Sequence, residues 1–126
     1  MSHQESPVAR LAAEDPLHDP PHWGFDVRRA PTGGRITAFG ELDLAVAGEL
    51  EELAGALVPE PGERLVADLS GVKFADSSIV AFLLRLAARA EARGASLVVL
   101  AQPDGHVRRT LRACEAETPL GLSSTG

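Results

Sequence analysis

An α/β fold with a largely parallel sheet is predicted by three observations. Short apolar runs suited to strands alternate with longer amphipathic runs suited to helices, in the order β-β-α-β-α-β-α. RLVADLSG (64–71) and ASLVVLA (95–101) are nearly continuous apolar stretches, the pattern of strands covered on both faces. A helix-length segment precedes each of these two strands, which is the crossover a parallel neighbour requires. The 126 residues fit one domain, since two separate cores in a chain this short would each be marginal.

Residues 1–22 hold four of the nine prolines and three of the four histidines, with only a short apolar patch at Val8–Ala13, and are expected to form a flexible tail. His18 and His22 have the spacing of a helical metal pair, but Pro20 and Pro21 break that helix, so no metal site is read there. A domain is expected over 23–118, followed by a C-terminal tail at 119–126. It begins with GFDVRRA (24–30), where Phe25 and Val27 alternate with Asp26 and Arg28 as in a strand with one buried face. Pro31, Thr32, Gly33 and Gly34 mark a reversal, and RITAFG (35–40) resumes the alternation as the second arm of a hairpin. No GxxxxGK[ST] or GxGxxG surrounds these glycines, so they punctuate a turn and do not cradle a phosphate.

AVAGELEELAGALV (45–58) places Val46, Leu50, Leu53 and Leu57 on one helical stripe, with Asp43 positioned as its cap and Pro59–Gly62 as its end. After the strand at 64–71 a loop is expected over Val72–Asp76, then a long helix over 77–94 closed by Gly94. Ile79, Phe82, Leu83, Leu86 and Ala90 form its inner face. Arg85, Arg89 and Arg93 recur every four residues on the outer one and read as a solvated stripe. HVRRTLRACE (106–115) is a last short helix, expected to start near Asp104. In such a sheet the loops that lead from strands into helices emerge at the carboxyl edge, where ligands and partners are met. GELD (40–43) and SGVKFADSS (70–78) are expected side by side there.

A net charge of −6 excludes a nonspecific nucleic-acid binder, which needs a basic surface to displace counterions from phosphates. With 44% apolar and 24% charged residues the chain has the composition of a globular domain, and no stretch reaches the length of a membrane span. The single cysteine, Cys114, cannot close an intramolecular disulfide, which fits a cytoplasmic location. No catalytic set, cofactor motif or metal set is legible. His106 and Cys114 lack a convincing partner, and the carboxylates of Glu41 and Asp43 lack a second acid and aromatic pocket walls.

The chemically informative stretch is Asp76-Ser77-Ser78 at the start of the long helix. Asp76 or Ser77 can act as an N-cap whose side-chain oxygen satisfies an orphan backbone donor. A serine hydroxyl at that position is also suited to phosphorylation, because the helix end accommodates the anion while a partner meets nearly two new negative charges.

Several of these segments resemble one family: Gly40-Glu41-Leu42-Asp43, Leu65–Leu69 with Ser70-Gly71-Val72, Phe74-Ala75-Asp76-Ser77-Ser78, Gly94–Leu100, and Val107-Arg108-Arg109 with Leu111. In order and spacing they are similar to a STAS domain of the anti-sigma factor antagonist type, over about residues 24–113. The resemblance implies a STAS fold with helices packed on a mixed sheet, and a non-enzymatic module that uses no cofactor. Such a module captures an anti-sigma factor with a serine kinase fold and so frees a sigma factor. It further implies Ser77 as the phosphorylated residue, a PP2C-like phosphatase as the enzyme that restores it, and Asp43, Asp76, Ser77, Ser78 and Ile79 as the partner-binding positions. The chain departs from the family pattern at Ile79, where glycine is usual, and at Cys114-Glu115-Ala116, which replace a TGL-like cap. Two other readings use the same fold: an unphosphorylated accessory subunit of a lipid-transport ATPase, and a sensor of a nucleotide or small metabolite.

Overall fold

The computed structural model describes residues 6–12, 23–31, 33–55, 57–116 and 122–124. Among them six strands form one mixed sheet whose spatial order is the chain order. β1 (Ser6–Ala12), β2 (Trp23–Ala30) and β3 (Gly33–Leu42) are antiparallel in succession, and β4 (Arg64–Ala75), β5 (Ser96–Ala101) and β6 (Leu122–Ser124) continue parallel to β3. α1 (Leu44–Ala54) joins β3 to β4, α2 (Ser77–Ala92) joins β4 to β5, and α3 (His106–Ala113) follows β5. The α/β class and the order of the seven expected elements hold.

Two strands fall where tails were expected. Ser6–Ala12 pairs along β2 and Leu122–Ser124 along β5, so each satisfies a row of backbone groups that an edge strand would otherwise leave to water. His18 and His22 lie outside the described residues.

The sheet is buried on one face, and this corrects the expectation of strands covered on both. Phe25, Val27, Ile36, Ala38, Leu65, Ala67, Leu69, Val99 and Ala101 enter a single core with Leu50 of α1, Phe82 and Leu86 of α2 and Leu111 of α3. On the opposite face Thr37 and Phe39 are exposed and Arg35, Val66, Asp68, Ser70, Val98 and Leu100 are half-buried. Polar residues of that face pair with each other, Arg28 with Asp26 at 3.0 Å and Arg35 with Asp68 at 2.9 Å. Burial alone would raise the Asp68 carboxyl, but hydrogen bonds from the Ser70 hydroxyl and N–H, with the Arg35 charge, outweigh it and hold the group below its ordinary range.

β4 runs on to Ala75, through residues expected as a loop. Its pairing with β3 shifts between Thr37 and Phe39 and again between Gly40 and Glu41, each time inserting one extra residue into β4. The buried positions therefore step by three, from Leu69 to Val72 to Ala75, and the period-two signal of a strand is lost although the strand continues. At the first bulge Ser70 donates its N–H to Asp68 Oδ1 at 3.0 Å, and its hydroxyl donates to the same oxygen at 2.6 Å.

The helix ends are chemically explicit. α2 closes on a Schellman motif: Ala95 N–H donates to Ala90 O at 2.9 Å and Gly94 N–H to Glu91 O at 3.0 Å, with Gly94 at φ +77°. α3 starts at His106, close to Asp104 as expected, with Gly105 as its cap residue and no side-chain cap bond. It ends on the same motif as α2, Ala116 N–H donating to Leu111 O at 2.8 Å and Glu115 N–H to Arg112 O at 3.0 Å, but Glu115 sits at φ +56° where glycine is preferred. A left-handed conformation costs an L-residue about 1 kcal/mol, so Glu115→Gly is expected to raise unfolding stability by about that amount in urea melts. An unchanged or lower midpoint would show that this end of α3 does not hold the left-handed turn.

Arg85, Arg89 and Arg93 are not a purely solvated stripe. Arg85 donates to Glu51 Oε1 through Nε at 3.1 Å and Nη2 at 2.8 Å, Arg89 Nη1 donates to Glu51 Oε2 at 3.1 Å, and Arg93 Nε donates to Pro59 O at 2.8 Å. The stripe straps α2 to α1 and to the segment after it. The hydrogen bond from Arg85, together with both guanidinium charges and against a smaller opposing effect of burial, holds the Glu51 carboxyl below its ordinary value. A carboxyl lowered in the fold stabilises it fully above the unfolded pKa of about 4.3, and that contribution is lost as pH falls through the folded value. Glu51→Gln is expected to lower the melting temperature slightly at neutral pH and low salt. The gap from wild type should close in about 1 M NaCl and again as pH falls below about 4.

Candidate functional site

At the carboxyl edge of the sheet Leu42 of β3 lies opposite Ala75 of β4, and Asp76 N–H donates to Leu42 O at 3.3 Å. The residues that follow this pair, Asp43 and Asp76, begin α1 and α2, so two helix N-termini stand next to each other on adjacent parallel strands. This is the side-by-side placement of GELD and FADSS that the element order predicts. The two bulges of β4 bring it about, since their extra residues let β4 reach the end of β3 with Ala75 still facing the core.

Both aspartates cap their helices. Asp43 Oδ1 accepts from Ala45 N–H at 3.1 Å and Val46 N–H at 3.3 Å. Asp76 has an extended backbone, φ −94° and ψ −176°, and its Oδ1 accepts from the Ser78 N–H at 3.0 Å and from the Ser78 hydroxyl. Ser78 is therefore half-buried and committed to Asp76. Ser77, between them, is exposed, and its hydroxyl makes no hydrogen bond to any described residue. One of the two adjacent serines is thus part of the cap and the other is free for chemistry.

Ile79 does not belong to the surface on which it was placed. Its side chain is 1% exposed and packs in the core with Phe82 and Leu83, because the third residue of α2 already faces the sheet. The bulk that replaces glycine there points inward and leaves the Ser77 face open.

Four neighbours were not identified as part of this site. His106 and Thr110 of α3 hold both backbone groups of Ala75: Ala75 N–H donates to His106 Nδ1 at 3.2 Å, and Thr110 Oγ1 donates to Ala75 O at 3.2 Å. Since Nδ1 accepts, the ring proton is on Nε2. The His106 ring also lies against Phe74, with centroids 4.7 Å apart. His106, which the sequence leaves without a partner, thus fixes the residue before Asp76, and its i, i+4 relation to Thr110 is the one signal that could have paired them. Phe74 and Leu44 are exposed by 41% and 73% and flank the two caps with apolar surface. Removing the imidazole strands the Ala75 N–H. His106→Ala is expected to cost about 1–3 kcal/mol in stability and to speed hydrogen exchange at Ala75 and Asp76, and an exchange pattern identical to wild type would exclude this clasp.

Among the described residues no cluster of His, Cys, Asp and Glu could hold a metal ion, and no helix is long and apolar enough to cross a membrane. The family profile described as "Mlab, STAS domain" matches residues 25–122. The chain belongs to the STAS family. No curated protein matches it. Among solved structures it is similar to an anti-sigma factor antagonist from Mycobacterium paratuberculosis, with 27% identity, a TM-score of 0.68, and 91% of this chain and 92% of that one covered. The family match ends at residue 122, the first residue of β6.

Proposed function

We propose that this STAS protein is an anti-sigma factor antagonist. It captures an anti-sigma factor with a serine kinase fold, frees a sigma factor, and is switched off by phosphorylation of Ser77. The observation that carries the reading is the division of labour at the start of α2, where Asp76 and Ser78 bond to each other and Ser77 remains exposed and unbonded. The likeness to the Mycobacterium paratuberculosis antagonist supports the same role. In the transfer, Ser77 Oγ attacks the γ-phosphorus of ATP, ADP leaves, and the hydroxyl proton passes to a base of the kinase. A PP2C-like phosphatase returns the hydroxyl. The chain itself acts as a binding module in the cytoplasm and supplies no catalytic residue. Asp43, Asp76 and Ser78 shape the surface mainly by holding the two helix starts in place, while Leu44 and Phe74 offer the apolar area a partner can bury.

The test is a quantitative pull-down from the native cytoplasm with wild type, Ser77→Ala and Ser77→Glu as baits, followed by incubation of the captured kinase with ATP. An anti-sigma factor retained by alanine and depleted by glutamate, with phosphate found on the peptide bearing Ser77, is the expected result. Equal capture by all three baits of a transporter's nucleotide-binding subunit would replace this reading with that of an accessory subunit of a lipid-transport ATPase.

A further inference from the structure

At the opposite edge of the sheet from Ser77, a cleft of about 290 Å³ opens between the end of α1 with the segment after it and the last two turns of α2. Its floor is apolar, made by the buried side chains of Leu57, Leu65, Leu86 and Ala90. Its rim carries Arg89 and Arg93, and none of the residues lining it is acidic, although the chain as a whole has a net charge of −6. Glu51 is shared by Arg85 and Arg89, so two guanidinium groups bind one acid. Arg93 donates only its Nε, to Pro59 O, and has no carboxylate partner among the described residues, so its two terminal nitrogens remain free to donate.

An apolar floor under an unneutralised, forked cation matches a short alkyl chain that ends in a carboxylate. We propose that this cleft binds a medium-chain aliphatic carboxylate, its chain on Leu57, Leu65 and Leu86 and its head group on Arg93 beside Arg89. A cleft of about 290 Å³ is at the small end of ligand sites and suits a short single chain such as that of octanoate. The assignment is independent of the Ser77 reading, because it involves different residues at the other end of α2, whose sixteen residues span about 24 Å.

Titration of the full chain with octanoate, followed by amide chemical shifts, tests it. Saturable binding of one octanoate per chain is expected, with Kd on the order of 0.1–1 mM and shifts confined to residues around 54–59, 65 and 86–93. Octanol tests the charge and octylamine its sign, and each is expected to bind at least about tenfold more weakly. Arg93→Gln should weaken octanoate about fivefold or more and leave octanol unchanged, with Arg93→Lys restoring part of the loss. Val58 is 45% exposed at the lining, so Val58→Trp should block the cleft without unfolding the chain, a point checked by its melting curve. Non-saturable binding, octanol as tight as octanoate, shifts elsewhere on the chain, or indifference to both Arg93→Gln and a folded Val58→Trp would each overturn the assignment.

Discussion

Ser77→Glu is expected to reduce capture of the proposed anti-sigma partner about a hundredfold, with Ser77→Ala close to wild type and the melting curves of both unchanged. The two halves of that result have separate causes. The fold is indifferent because Ser77 is exposed at the first position of α2 and bonds to nothing described, while the positive end of the helix dipole favours an anion there. The partner is not indifferent, because a new charge on a surface already carrying Asp43 and Asp76 has to be desolvated or opposed in the complex. Two unit charges about 6 Å apart at an effective dielectric near 20 interact by about 3 kcal/mol before screening, and a loss of 2.7 kcal/mol is about a hundredfold in Kd. Ser77→Gln separates charge from bulk: it has the size of glutamate and is expected to stay within about fivefold of wild type. Equal loss with glutamine and glutamate would make Ser77 a steric contact and remove the electrostatic switch.

The parts of this molecule that are legible in its sequence are those where one physical rule acts alone. Phe25 with Val27, and Ile79 with Phe82, Leu83, Leu86 and Ala90, follow simple periods and point to the core as read. Asp43 and Asp76 were identifiable as caps because a cap is a local bond between a side chain and backbone two or three residues on. The stretch from Val72 to Ala75 reads as a loop because two bulges change the period from two to three, and that change depends on pairing with β3, which is not local information. The same holds for His106, whose partner Ala75 lies 31 residues away, and for the arginine strap, whose acceptor Glu51 sits on another helix. Ser6–Ala12 has too little apolar period of its own, and its strand exists because β2 offers it an open edge. Of the positions supplied by resemblance, Ser77 is exposed at the first turn of α2, while Ile79 lies in the core, where its apolar period already put it, and not on the surface to which the resemblance assigned it.

Gly33→Ala and Gly48→Ala are expected to move stability in opposite directions, the first by a loss of about 3 kcal/mol or more, the second by a gain of about 0.5–1 kcal/mol. Both residues look alike in the sequence, as small breakers, and the sequence asks only conformational freedom of the turn at 31–34. The structure gives Gly33 a second constraint. It has φ +146°, and a Cβ there would stand 1.9 Å from Arg64 O and 2.7 Å from Arg64 C, in the register where β3 meets the first residue of β4. Those are backbone atoms, so no rotamer change relieves the contact, and the start of the parallel pairing has to shift. Strain at a forbidden φ and overpacking each cost about 1–3 kcal/mol, and here they coincide. Gly48 lies exposed within α1, and a Cβ added to it meets nothing within 4 Å, so alanine there only removes the helix penalty of glycine. For a chain this size 1 kcal/mol corresponds to about 4 °C, which places the two variants well over 10 °C apart in melting temperature. If Gly33→Ala melts with wild type, the close approach of β3 to Arg64 is not present in solution. The parallel register that aligns Leu42 with Ala75, and with it Asp43 beside Asp76, would then lose its anchor at the other end of the same two strands.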